Sequence, residues 1–134
     1  MPFLVHPLLV HFPVALWLTS FLFDLLSLRT SDRFYATASR YLIGLGVLGA
    51  VGAIITGFVD YLPLRAQGVG QTFIDRHRTH SLLAYVVTAV YAGIFLLRWR
   101  KRGPAGGVAV ALAGLGAVLI AITAYLGGEI RRVM

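Results

Sequence analysis

Residues 41–59 read YLIGLGVLGAVGAIITGFV, an unbroken run without a single charged side chain. A helix needs about 20 mostly apolar residues to cross the hydrocarbon core of a bilayer, and this run supplies them. Working outward, three more stretches match it, at 8–28, 81–97 and 108–126. The first is interrupted only by His11, Pro13 and Asp24. In lipid every backbone amide must be bonded within its own segment, which leaves helices or closed barrels. The Ala/Leu/Gly-rich runs lack the dyad alternation of a barrel strand. The expected fold is therefore all-α, an integral membrane four-helix bundle forming one domain over residues 1–134.

Composition agrees. Of 134 residues, 58% are hydrophobic and 13% charged, against about 45–50% and about 25% in soluble domains. Mean hydropathy is +0.82. The net charge of +7 does not indicate nucleic acid, because the basic residues sit in short clusters between apolar runs rather than on a solvated basic face. Membrane lipid is the first partner. With no cysteine, disulfides, iron–sulfur clusters and thioether-linked haem are excluded, so histidine, carboxylate or backbone must hold any cofactor.

The Lys and Arg positions predict orientation. Arg29, Arg33 and Arg40 follow the first span, and Arg98, Arg100, Lys101 and Arg102 follow the third. Arg65, Arg76, Arg78, Arg131 and Arg132 fall on the other side. The positive-inside rule then predicts a multi-pass protein of the cell inner membrane with both termini on the outer, periplasmic side. The first span has no charged leader and no small-residue cleavage site, so it does not read as a removable signal peptide. Gly49, Ala53 and Gly57, and likewise Ala113, Ala117 and Ala121, recur every four residues. That spacing lets helices approach closely. It also leaves open the reading that glycine clears room for a flat cofactor.

All four histidines, His6, His11, His77 and His80, enter from one membrane face, where Asp60 and Glu129 close the second and fourth spans. Ionisable groups at such positions are functional candidates by default. Judged by depth in the helices, His11 and His80 form the natural axial pair for one b-type haem. His6 then lies further out, and Arg76 and Arg78, with Arg65, are placed to meet the propionates. The alternative is zinc or copper held by three or four of His6, His11, His80, Asp60 and Glu129. A third reading is a cofactor-free structural subunit that packs through its small-residue stripes inside a larger respiratory or photosynthetic complex. Catalysis by the chain alone is the least supported, since no general base or open metal position can be located. A transporter is a further possibility, but four short spans allow no usual broken-helix repeat without oligomerisation.

Among polar groups outside the site, Asp24 is expected to pair with Arg40, and Glu129 with Arg132. The stretch 61–73 is expected to ride the interface through Tyr61, Leu62, Leu64 and Phe73. Gly68 and Gly70 are not followed by the residues of a phosphate loop.

His6-Pro7-Leu8-Leu9-Val10-His11-Phe12-Pro13, then Asp24, Thr56-Gly57-Phe58-Val59-Asp60, His80 and Gly127-Gly128-Glu129-Ile130 together resemble a bacterial family of predicted membrane proteins, domain-of-unknown-function family 2231. The resemblance covers nearly the whole chain, and its most specific element is the opening H-P-x-x-V-H-F-P. It implies a four-helix membrane domain whose recurring positions match His6, His11, Asp24, Asp60, His80 and Glu129. His77 has no obvious counterpart, and the chain departs from the pattern after Glu129. Some members are joined to Rieske or c-type cytochrome domains. The resemblance therefore implies electron transfer at the outer face, with other membrane or redox proteins as partners.

Overall fold

A computed structural model describes residues 5–132. The chain begins with a single turn, α1 (His6–Leu9), followed by α2 (His11–Ser27), α3 (Arg33–Ala66), α4 (Gln71–Arg100) and α5 (Gly107–Arg131). Pro7 opens α1, where its missing N–H costs nothing. Pro13 cannot donate to the carbonyl of Leu9, and its ring crowds that carbonyl; Val10 accordingly separates α1 from α2. Asp32 caps α3 by accepting the Phe34 N–H at 2.8 Å.

Among the described residues, four helices are long and apolar enough to cross a membrane. Their outward faces carry large apolar side chains such as Leu22, Leu48, Ile55 and Val118, as a lipid-facing surface requires. The helices outrun the apolar stretches that mark them. At 34 residues and a rise of 1.5 Å per residue, α3 is about 51 Å long, well beyond a hydrocarbon core of about 30 Å. The stretch 61–73, expected at the interface, is shared between the end of α3, a short turn and the start of α4. Helix α3 continues through Pro63 to Ala66, and only a short turn with Gly68 at φ 79° precedes α4.

Helix α2 packs on α3 and α5, and α4 packs on the same two. Two hairpins, α2–α3 and α4–α5, thus close a ring. Three side-chain pairs join them along the bundle: His6 with His80, Trp17 with Tyr91, and Asp24 with Arg98, each 74 residues apart. The second helices correspond in the same way. Gly44 faces the Phe95 ring while Gly114 faces the Phe21 ring, and Gly46 lies under Trp17 while Gly116 lies under Tyr91. Exchanging the hairpins maps one set of contacts onto the other, so the bundle has an approximate twofold axis running along its length. Its trace in the sequence is His6-x-Leu8-Leu9, Ala15 and Phe21-Leu22 against His80-x-Leu82-Leu83, Ala89 and Phe95-Leu96. Gly44-Leu45-Gly46 and Gly57 repeat as Gly114-Leu115-Gly116 and Gly127.

The centre of the core is the Trp17–Tyr91 stack, with ring centroids 4.0 Å apart and planes 8° from parallel, surrounded by Ile43, Ala50, Val87, Ile94 and Ile120. The Trp17 indole N–H donates to the Ile43 carbonyl at 3.2 Å. Further toward the α2–α3 loop, Arg98 reaches Asp24 at 2.7 Å and donates to the Ser39 hydroxyl at 3.0 Å. The expected Asp24–Arg40 pair is therefore replaced by Asp24–Arg98. Arg98 comes from the neighbouring helix at the same level and is buried with Asp24, whereas Arg40 lies against Tyr41 and Trp99.

Candidate functional site

At the opposite end of the bundle, the site is built on a repeated local device. The His6 ring rests on Gly57, and its Nδ1 lies 2.6 Å from the Ala53 carbonyl. The His80 ring rests on Gly127, and its Nδ1 lies 3.0 Å from the Thr123 carbonyl. In each case the glycine comes one helical turn after the residue whose carbonyl is used. A Cβ there would stand 3.1 Å from His6 Nδ1 or 3.0 Å from His80 Cε1. The missing side chain is what allows the ring to reach a carbonyl within a helix.

A carbonyl can only accept, so a neutral ring in either place carries its proton on Nδ1 and leaves Nε2 with a bare lone pair. The two ring centroids are 6.1 Å apart, with planes crossing at 81°. Asp60 holds His6 through the backbone, accepting its N–H at 2.9 Å. His77 stacks on Tyr61 with centroids 3.9 Å apart and planes 12° from parallel, and Phe73 lies beyond it.

Two cavities adjoin the pair. The deeper, about 70 Å³, is lined by Pro13, Trp17, Ala53, Val87 and Thr123 together with both histidines. The other, about 300 Å³, contains His6, His11, Asp60, His77, His80 and Arg131 in its wall. The lower end of the range for small-molecule pockets is about 300 Å³.

The residues singled out from sequence fall into two groups. His6, Asp60 and His80 come together. His11 does not join His80 as the facing imidazole: it is exposed, with Nδ1 3.4 Å from the Leu8 carbonyl. Five residues separate His11 from His6, which turns it to another side of the chain; depth alone had selected it. Arg76 and Arg132 hold Glu129, at 3.7 Å and 2.8 Å, so the expected Glu129–Arg132 pair is present. Arg78 is exposed. Among the described residues no three of His, Asp and Glu converge as a metal-binding group. The sequence reading counted His77 among the histidines of this face, Tyr61 as an interface anchor and Arg131 as a loop charge, gave none of them a place in the site, and missed the two glycine cradles. The cradles left only a faint trace, since Gly57 and Gly127 hold equivalent places in a repeat that the packing reveals.

These features define a membrane four-helix bundle of two related hairpins with a paired-imidazole site at one face. The chain belongs to domain-of-unknown-function family 2231 (DUF2231), described as predicted membrane protein, which it matches over residues 2–133. No curated protein and no solved structure matches the chain.

Proposed function

We propose that the protein holds one b-type haem between His6 and His80 and passes single electrons at the outer membrane surface. The observation that carries this reading is the paired imidazoles, each fixed through Nδ1 with Nε2 left for a metal. Their ring centroids lie 6.1 Å apart, close enough for both imidazoles to serve one iron. A hydrogen bond from the second ring nitrogen to a backbone carbonyl is the usual partner that orients a ligating histidine.

The donor set favours haem over a bare zinc or copper ion. Zinc needs three or four protein ligands, whereas His6 and His80 alone could supply the protein ligands of a haem iron. When bound, it supplies reversible one-electron chemistry. The chain's own residues do the rest. Gly57 and Gly127 admit the rings, Ala53 and Thr123 fix their tautomers, and apolar Val10, Pro13 and Val87 line the deeper cavity. Arg131, in the wall of the larger cavity, is the guanidinium available to a propionate. A redox protein at the same surface would be the exchange partner.

The test is a reduced-minus-oxidised spectrum of protein purified in detergent from haem-replete cells. A Soret band is expected, lost in His6→Ala and in His80→Ala but kept in His11→Ala. A colourless preparation would overturn the reading and leave the cofactor-free subunit.

A further inference from the structure

The end of the bundle remote from the histidines carries another, unrelated cavity. The α2–α3 and α4–α5 connections enclose about 320 Å³, and three guanidinium side chains, Arg33, Arg40 and Arg102, line it. None of them is in an ion pair among the described residues, whose salt bridges are those of Arg76, Arg98 and Arg132. Asp32 also lines the cavity, but its Oδ1 accepts the Phe34 N–H at the start of α3.

Arg40 is the informative member. Its Nε is buried and has no hydrogen-bond partner among the described residues. A buried donor of that kind calls for an acceptor. Its guanidinium carbon lies 5.9 Å from the Tyr41 ring centroid and 5.6 Å from that of Trp99. Those two rings meet edge to face across α3 and α4, and both are exposed. Exposed Trp and Tyr at the end of an apolar span mark headgroup depth. The cavity therefore sits where phosphates of the bilayer lie.

We infer that this cavity binds the phosphodiester headgroup of an anionic glycerophospholipid. Three cationic forks converge on it, and the neighbouring exposed Phe34 and Tyr41 give the acyl chains an apolar path. Free phosphate shares the headgroup's chemistry but lacks that apolar contact, and a zwitterionic lipid carries its own cation to compete with arginine.

Native mass spectrometry of the detergent-released protein tests the inference with three probes: phosphatidylglycerol, phosphatidylethanolamine and inorganic phosphate. One phosphatidylglycerol should be retained, with about a fivefold loss of affinity for each guanidinium removed, read in Arg102→Gln and in Arg40→Gln/Arg102→Gln. The charge-matched variant Arg29→Gln/Arg100→Gln, outside the cavity lining, should stay within about twofold. Arg102→Gln lies on an exposed connection and keeps the test valid if the double variant does not fold. Equal retention of phosphatidylethanolamine would overturn the site. So would displacement of the lipid by equimolar phosphate, or an equal loss in the charge-matched variant.

Discussion

His6 and His80 sit at equivalent places in two hairpins, each lying on a glycine and bonded to the carbonyl one turn before it. The geometry ties ring orientation to the absence of a side chain at Gly57 and Gly127, and a single methyl group can probe it. In Gly57→Ala or Gly127→Ala the ring must yield by a few tenths of an ångström. Under the haem reading, either change should shift the midpoint potential and lower haem occupancy. Gly52→Ala meets nothing within 4 Å and should leave the spectrum unchanged, while the helix gains up to about 1 kcal/mol. An unchanged potential in both cradle variants would show that the cradles do not set the ligands.

Asp24 and Arg98 are both buried, so removing one charge strands the other. Arg98→Leu should cost about 3–5 kcal/mol, measured by thermal unfolding in detergent. Asp24→Leu/Arg98→Leu should recover most of that loss, since no unpaired charge remains. A double variant as unstable as the single one would contradict this account.

Gly46 leaves the space that the Trp17 indole occupies, and a Cβ there would overlap it. Overpacking of this kind costs about 1–3 kcal/mol, so Gly46→Ala should lower the unfolding temperature. Gly116→Ala should do the same, because its Cβ would stand 2.9 Å from the Tyr91 ring. Gly93→Ala, with open space around it, should not lower it.

The Tyr91 hydroxyl is buried without a hydrogen-bond partner among the described residues. Tyr91→Phe keeps the stack on Trp17 and removes an unsatisfied group, whose burial costs about 1–3 kcal/mol. The variant should be at least as stable as the parent. A drop of more than about 1 kcal/mol would reveal a hydroxyl contact made by a bound group or water.

Apolar run length was enough to place the four helices, because lipid imposes one demand on every residue of a span. It was a poor guide to where they stop. Polar residues such as Tyr61 and Arg65 extend α3 beyond the apolar stretch at no cost to helix geometry. Depth in the membrane brought His6, Asp60 and His80 to one face but could not rank His6 against His11, since facing depends on rotation about the helix and on the break at Val10. The partner of Asp24 was misread for a related reason. Arg40 is nearer in sequence, but the helix–helix register delivers Arg98. The repeat, spread over two different offsets in weakly similar apolar text, became visible only when the packing paired its members.

The twofold relation also constrains chemistry on the axis. If two separate, identical hairpins formed this bundle, each on-axis pair would be a residue meeting its own copy, and the level of Asp24 would hold two carboxylates or two guanidiniums repelling each other in a low-dielectric interior. Joining both halves in one chain removes that restriction. One end can keep like with like, histidine facing histidine, while the other sets an acid against a base. The covalent link thus makes the two ends of a nearly symmetric molecule chemically distinct, and the acid–base end accepts the hairpins in only one pairing.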